Sequence, residues 1–305
     1  MDSFFYVKNT ALSALLFAAT LLCAQTPQVF SGKIIRHENF PSQHVAPRHV
    51  DVWLPQDYDV SRRYAVVYMH DGQMLYDAQG TWNGQEWGVD ETLSRLHAVG
   101  ALHDLIVVGV WNNGRYRRSE YTPKRALAYL PATDREALRR DHLEGEPRAD
   151  AYLRFLVGEL KPFIDSAYAT HPDRIHTALM GSSMGGLISM YGLCEYPDVF
   201  GKAACLSTHW PGALPVVAPL PDAFLRYLEE RLPEPGEHMI YFDYGTVGLD
   251  SLYPPYQARA DQILRKKGYG QRAWATLEFV GADHNERAWA ARLHLPFLFL
   301  FGRRD

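Results

Sequence analysis

A serine set between glycines is the first sign of chemistry in this chain. Residues 181–185 read GSSMG, which matches the G-x-S-x-G pattern of a nucleophile carried on a sharp turn between a strand and a helix. Ser183 is the central residue, and its small neighbours allow the strand and the helix to approach closely. Ser182 occupies the variable position, so we expect it to pack rather than react. The pattern therefore predicts a serine nucleophile for acyl transfer.

A serine hydroxyl needs a base to become a nucleophile. Where a serine is carried on this kind of turn, the acid and then the histidine follow it along the chain, so the acid and the base are sought after Ser183. His284 follows the last strand-like run, in GADHNERAW, and is the expected base. Asp250, in GTVGLDSLY, is the expected acid because it lies in the loop after the strand-like run HMIYFDYG. Asp243, inside that run, stays open as an alternative, although its position is more typical of a buried carboxylate. The acid would hold the imidazole in one tautomer without taking its proton.

Two backbone N–H groups are expected to stabilise the negative charge that develops on the substrate oxygen. Met184 follows the nucleophile at the start of a helix, and Gln73 follows Gly72 in YMHDGQMLYD, where a strand-like run ends. Removing one such donor typically costs about 3 kcal/mol of transition-state stabilisation. His70 and Asp71 in the same segment are a conceivable metal pair, but no third ligand is suitably spaced. No metal is therefore predicted for the site.

The elements that must position these residues follow from the apolar pattern. Eight strand-like runs alternate with helical spacing, which predicts an α/β fold with a mostly parallel sheet and helices on both faces. Residues 112–147 form a long irregular connection of the kind that often shapes a binding site, and Pro162 is expected to bend a helix. The strand-like runs cover residues 29–40, 48–55, 62–70, 104–112, 174–180, 202–207, 238–245 and 273–281. The helical segments cover residues 86–100, 148–168, 187–195, 222–232, 256–267 and 286–301.

Composition limits the classes of protein to be considered. The chain has 305 residues, of which 47% are hydrophobic and 22% charged, so it is long enough for one large core. Its formal net charge is −4 and its basic residues are scattered, so no nucleic-acid partner is predicted. Cys194 and Cys205 lack metal-ligand spacing and are expected to be buried thiols, with a single disulfide between them left open.

The first residues have the character of a secretory signal. Lys8 precedes an apolar run over residues 11–24 that is too short to span a bilayer comfortably. Asp2 and Leu22 are less typical of such a leader, so an uncleaved anchor or a buried helix stays open. The pattern predicts a signal peptide over residues 1–24, export to the periplasm, and a single catalytic domain over residues 25–305 with no integral membrane segment.

Seven segments together resemble the "Putative esterase" (esterase D-like) family of α/β hydrolases over roughly residues 34–302. They are YMHDGQMLYD, WGVDETL, VVGVWN, EYTP, GSSMGGL, FDYGTVGLD and GADHNERAW. The family includes S-formylglutathione hydrolases, siderophore esterases, feruloyl and acetylxylan esterases, and mycolyltransferases. The resemblance implies the α/β-hydrolase fold, the triad and oxyanion hole given above, and no cofactor. One departure concerns the acid, since five positions separate Gly245 from Asp250, whereas many members carry it closer to the glycine.

The chain is therefore predicted to be a carboxylic ester hydrolase that forms an acyl-enzyme. Its partner would be a small-molecule or carbohydrate-linked ester, with feruloyl and siderophore esters as candidates, and its oligomeric state is unknown. An acyltransferase would use the same residues, and a catalytically silent binding module is the non-enzymatic alternative. The residues expected to bind substrate are Asp71, Tyr76, Trp111, His209 and Trp210, and further candidates near the pocket are Trp82, Arg115, Arg117 and Arg118.

Overall fold

Eight strands build a single sheet in the computed structural model, which describes residues 26–303. Seven strands fall inside their strand-like runs, and the strand Thr177–Ser182 begins inside the run 174–180 and extends two residues beyond it, so the eight predicted strands are confirmed. The strands are β1 (Lys33–Phe40), β2 (Arg48–Leu54), β3 (Ala65–His70), β4 (Leu105–Val110), β5 (Thr177–Ser182), β6 (Lys202–Leu206), β7 (Met239–Gly245) and β8 (Trp274–Phe279).

The sheet is mostly parallel, as expected. Its strand order is β1-β2-β4-β3-β5-β6-β7-β8, and the neighbours from β4 to β8 all pair in parallel. Only the pairs β1/β2 and β2/β4 are antiparallel. In parallel sheets the carboxyl ends of the strands meet at one edge, where ligands usually bind. Ser182, at the end of β5, and Gly245, at the end of β7, both lie at that edge.

Helices cover the sheet. They pack against strands β3, β4, β5 and β6, which are buried along their whole length. The helices are α1 (Val89–Ala98), α2 (Arg117–Tyr121), α3 (Ala132–Asp141), α4 (Ala149–Phe155), α5 (Lys161–Ala167), α6 (Met184–Glu195), α7 (Pro219–Arg231), α8 (Pro254–Lys266), α9 (Glu286–Arg292) and α10 (His294–Phe301).

Two of the helix predictions need correction. The segment 286–301, predicted as one helix, forms α9 and α10, because Pro296 lacks an N–H and its ring crowds the carbonyl of Arg292. The connection 112–147, predicted to be irregular, contains α2 and α3. The helix predicted over residues 148–168 is interrupted by a wider π-type turn, Leu156–Leu160, that separates α4 from α5 just before Pro162.

The central helix α6 fixes the position of Ser183. It is buried from its first residue to Cys194 and packs between the strands and the outer helices. A helix that is apolar all round belongs in a core, so its first turn has little freedom to move. Cys194 in α6 and Cys205 in β6 are buried, and both thiols are free.

Among residues 26–303, no helix is both long enough and apolar enough to cross a bilayer. The predicted signal peptide, residues 1–24, lies outside the described residues. The signal peptide, the periplasmic location and the single-domain boundary at residue 25 therefore stay predictions.

Candidate active site

Ser183 occupies the turn between β5 and α6 in a backbone conformation that side chains rarely adopt. Its φ is 58° and its ψ is −121°, and such strain typically costs about 1–3 kcal/mol. The Ser183 N–H donates to the carbonyl of Leu206 at 2.9 Å, and the His209 N–H donates to the carbonyl of Ser183 at 3.1 Å. Both bonds tie the turn to the segment that follows β6, so the hydroxyl projects from a fixed backbone.

The glycine before the turn is required by a close approach of backbone to backbone. A Cβ added at Gly181 would lie 2.9 Å from the carbonyl carbon of Gly185 and 3.0 Å from its Cα. Contacts that short do not occur without a shift of the surrounding atoms. Strand β5 therefore touches the first turn of α6 directly, which explains the small residues that flank Ser183.

His284 follows β8 and is held by a carboxylate. Its Nδ1 donates to Oδ1 of Asp250 at 2.5 Å, and the Asp250 side chain is fully buried while that of His284 is 14% exposed. Burial by itself raises the pKa of Asp250, but the hydrogen bonds from His284 and Ser207 outweigh it and leave the pKa below its ordinary value. Asp250 is therefore ionised at neutral pH and orients the imidazole.

Ser207 supports the carboxylate from the other side. Its hydroxyl donates to Oδ2 of Asp250 at 2.6 Å and accepts from Trp289 Nε1 and Arg292 Nη2, both at 2.9 Å. Arg292 also pairs with the buried Asp243 at 3.0 Å. Burial raises the pKa of Asp243 in spite of that pair. In this structure Asp250 bonds to His284 and Asp243 does not, so Asp243 is a supporting group in the network.

Tyr253, immediately before α8, places its hydroxyl between two histidines of the site. The hydroxyl is 2.9 Å from Nδ1 of His209 and 3.4 Å from Nδ1 of His284. Burial lowers the pKa of His209 to about 3, so this imidazole is neutral at neutral pH, and its tautomer decides whether Nδ1 accepts from Tyr253 or donates to it. Tyr253 and Ser207 carry no motif, and sequence reasoning missed both.

Ser183 and His284 line the same cleft. Within residues 26–303, however, the ring of His284 hydrogen-bonds to Asp250 and Tyr253 and not to the Ser183 hydroxyl. Rotation about the Cα–Cβ bond changes the direction of the hydroxyl while the backbone stays in place. Catalytic hydrogen bonds are often long or misaligned until substrate is bound.

The loop after β3 carries Gln73 to the same cleft. It turns tightly, since a Cβ on Gly72 would lie 2.5 Å from the carbonyl carbon of Gly109 in β4. Oε1 of Gln73 accepts from the backbone N–H of Asn112 at 3.2 Å, which anchors the loop. Met184, on the other side of Ser183, is the first residue of α6, and the first N–H groups of a helix have no partner within it.

Asp71 stiffens this loop. It has a left-handed backbone, with φ 59° and ψ 44°, and its carboxylate accepts two hydrogen bonds from Arg117 at 2.7 and 2.6 Å. Asn112 Nδ2 adds a third at 2.7 Å. Burial raises the pKa of Asp71, but the charge of Arg117 outweighs it and the pKa is lowered. Asp71 therefore lines the cleft as an ionised carboxylate, and both of its oxygens accept hydrogen bonds.

The cleft has a volume of about 690 Å³. Trp82, Trp87 and Trp289 give it aromatic walls, and Trp82 is 84% exposed. Arg117 and Glu286 are its charged residues besides Asp71. Arg115 and Arg118 line a neighbouring depression that shares Arg117 with the cleft.

Four aromatic residues expected at the mouth do not line this cleft, and the expectation is corrected. Tyr76 and Trp210 are packed in the core, and the indole of Trp210 donates to Gln257. The indole of Trp111 donates to Asp51 on β2 at 2.7 Å. His209 is 3% exposed, and its imidazole contacts Tyr253. Each of the four residues follows the expected strand, but its side chain is buried or bonds away from the cleft.

The alternative metal pair is not supported by the contacts of its members. His70 is buried, its Nδ1 lies 2.8 Å from the hydroxyl of Tyr152, and burial lowers its pKa to about 4. Asp71 is occupied by Arg117 and Asn112.

Comparison with known proteins assigns the family. The model of the family described as "Putative esterase" matches residues 44–295, so the chain belongs to that family. A curated relative, "Uncharacterized protein YjcH" from Bacillus subtilis (strain 168), is 29% identical over 152 residues, which is 50% of this chain and 51% of the relative. The chain thus spans about half the length of this relative.

Solved structures show that the fold is that of the α/β hydrolases. The CE1 ferulic acid esterase AmCE1/Fae1A from Anaeromyces mucronatus, in complex with ferulic acid, is similar with a TM-score of 0.59 at 19% identity, covering 90% of this chain and 93% of that one. The ferric enterobactin esterase from Salmonella typhimurium is similar with a TM-score of 0.63 at 18% identity, covering 91% and 59%. The predicted family and fold are confirmed.

Proposed function

We propose that this member of the "Putative esterase" family is a serine carboxylic ester hydrolase in which Ser183 attacks the ester carbonyl. The observation that supports this most directly is the bond from Nδ1 of His284 to the buried Asp250, beside a cleft that Ser183 also lines. With its proton held on Nδ1, the neutral imidazole has a free electron pair on Nε2 that accepts the proton of Ser183. Membership of an esterase family supports the same class of reaction.

In the proposed reaction, Oγ of Ser183 forms a bond to the acyl carbon while its proton passes to Nε2 of His284. The carbonyl oxygen becomes an oxyanion, stabilised by the backbone N–H groups of Gln73 and Met184. Collapse of this intermediate breaks the bond to the alkoxide, which takes the proton from His284 and leaves an acyl-enzyme. Water then gives a proton to His284, attacks the acyl carbon and releases the carboxylic acid, and Ser183 recovers its proton.

The preferred substrates are proposed to be esters that carry a ring able to stack on an indole face, either an aryl acyl group or a sugar. The support is the aromatic wall of the cleft, in which Trp82 exposes a large flat surface beside Trp87 and Trp289. A panel of feruloyl, acetyl-sugar, catecholate-siderophore and short aliphatic esters tests this. We expect the highest kcat/KM among the ring-bearing esters, and equal values across the panel would contradict it.

The assignment of the nucleophile is tested with two neighbouring serines. Ser183→Ala should lower hydrolysis of a nitrophenyl ester by about 10⁴-fold or more and abolish covalent labelling by a fluorophosphonate. Ser182→Ala is the matched control and should still be labelled. Absence of both turnover and labelling in the unaltered protein would favour a silent binding module. Transfer of the acyl group to an added alcohol, analysed among the products, would indicate an acyltransferase.

A further inference from the structure

The segment HPDRIH, residues 171–176, connects α5 to β5 and brings two histidines and an aspartate together. One donor atom from each of His171, Asp173 and His176 lies within 4.8 Å of the others. The imidazole rings of His171 and His176 are stacked, with centroids 4.2 Å apart and an interplanar angle of 23°. Neither ring nor the carboxylate takes part in the proposed ester hydrolysis.

The segment is held in place on both sides of the cluster. The His171 N–H donates to the carbonyl of Tyr64 at 2.9 Å. Asp173 caps a short 3-10 turn by accepting the N–H of His176 at 3.2 Å, and its carboxylate also contacts Nδ1 of His176 at 2.8 Å. Thr177 Oγ1 donates to the carbonyl of Asp173 at 2.8 Å. Because these bonds already order the backbone, a ligand would cost little further ordering.

The donor set suits a particular chemistry. Imidazole nitrogen together with one carboxylate is the ligand combination preferred by zinc, nickel and copper rather than by magnesium or calcium. All three side chains are partly or fully open to solvent, so an ion has an entry path. With neutral imidazoles the set carries one negative charge, which favours a cation.

The nearest guanidinium groups are engaged elsewhere. Arg174, within the segment, pairs with Glu237 at 2.5 Å and with Asp198 at 3.3 Å. Arg63 donates from Nη1 to the carbonyls of Val60 and Arg62. These contacts give both guanidinium groups hydrogen-bond acceptors outside the cluster.

We propose that His171, Asp173 and His176 bind one divalent transition-metal ion, with Zn²⁺ as the representative. Three protein ligands leave at least one coordination position for water. The cluster lies before Thr177, at the start of β5, whereas Ser183 follows its end, and a six-residue strand spans about 20 Å. The ion would therefore fasten the α5–β5 connection and stabilise the fold, and it would take no part in ester hydrolysis.

The test is a titration of the purified protein, freed of any polyhistidine tag, with Zn²⁺ by isothermal calorimetry. We expect saturable binding of one ion per chain and a rise in Tm when Zn²⁺ is present, because a ligand that binds only the folded state stabilises it. His171→Ala and His176→Ala should each weaken binding at least about tenfold. Asp173→Asn retains an acceptor for the cap but should weaken binding by about tenfold.

His44→Ala is the matched control, since His44 is an exposed histidine outside the cluster, and it should leave Zn²⁺ binding unchanged. Circular dichroism establishes that each variant is folded, and if His176→Ala does not fold, the other two substitutions carry the test. No saturable binding, or undiminished binding in a folded His171→Ala/Asp173→Asn variant, would overturn the proposal. Removal of the ion with a chelator should lower Tm and leave the initial rate of ester hydrolysis unchanged, so this inference and the proposed function fail independently.

Discussion

Replacing Asp250 by asparagine probes the proposed triad through the hydrogen bonds that surround it. Oδ2 of Asp250 accepts from Ser207 Oγ and from the N–H of Gly245, both at 2.6 Å. Oδ1 accepts from Nδ1 of His284 at 2.5 Å. An amide has a single acceptor oxygen, and it retains two bonds when that oxygen takes the place of Oδ2. The amide NH₂ group then faces His284.

In that orientation the amide donates to Nδ1 of His284, so the imidazole carries its proton on Nε2 and cannot accept one from Ser183. Holding the wrong tautomer lowers kcat by about 10⁴-fold in a serine protease triad, which corresponds to about 5.5 kcal/mol of transition-state stabilisation. We expect a loss of that order for Asp250→Asn, with KM nearly unchanged because no group that touches substrate is removed. Initial rates with a nitrophenyl ester, scaled to the folded protein, measure it.

Asp243→Asn is the matched control, because Asp243 is equally buried but bonds to Arg292 rather than to His284. Weakening a buried ion pair costs up to about 3–5 kcal/mol of unfolding free energy, so this variant should melt earlier while its folded fraction keeps more than about a tenth of kcat. The opposite pattern would refute the reasoning. If folded Asp243→Asn were inactive and Asp250→Asn kept at least a tenth of its rate, the acid would be misassigned.

Three further changes test other parts of the structure. Tyr253→Phe leaves the buried Nδ1 of His209 without its partner, so urea unfolding should show a loss of about 1–3 kcal/mol, and unchanged stability would contradict that bond. Burial and the neighbouring Glu91 raise the pKa of Asp90 from 3.8 to about 7. Between these two pH values the folded state keeps a proton that the unfolded state releases, so the free energy of unfolding falls as the pH rises through this range. Asp90→Asn should therefore raise Tm at pH 8 more than at pH 5, whereas an equal effect at both would argue against it. Trp82→Ala should raise KM for a feruloyl ester severalfold and leave hydrolysis of a short acetyl ester unaffected, and equal losses on both esters would exclude the proposed role.

The strands could be predicted because their signal is local. Runs such as AVVYM and LIVVGV are apolar at every position, and β3 and β4 are indeed buried on both faces. The turn that carries Ser183 could be predicted for the same reason, since a G-x-S-x-G motif between a strand-like and a helix-like run specifies it. The break between α9 and α10 was not predicted because the apolar pattern continues through it, although Pro296 indicates a helix break at this point.

The residues around the triad could not be predicted, because their roles depend on contacts between distant segments. Ser207 becomes important only when β6 places its hydroxyl against Asp250 while α9 supplies Arg292. The same limit explains the errors at Tyr76 and Trp210, since a position in a loop near the carboxyl ends of the strands does not determine where a side chain points. Trp82, predicted to lie in the same region, does line the cleft.

The turn at Ser183 is anchored by Leu206 and His209, so the position of the Ser183 hydroxyl and the lining of the cleft depend on different parts of the chain. An insertion between residues 206 and 209 would displace one of the two anchors and, with it, the hydroxyl of Ser183. That short stretch therefore has little tolerance for a change of length. The connection over residues 112–147 contributes Asn112 and Arg117 to the cleft. It forms neither of the two backbone hydrogen bonds that anchor Ser183. New substrate preferences can therefore arise, by evolution or by engineering, through changes in this connection that leave the Ser183 hydroxyl in place.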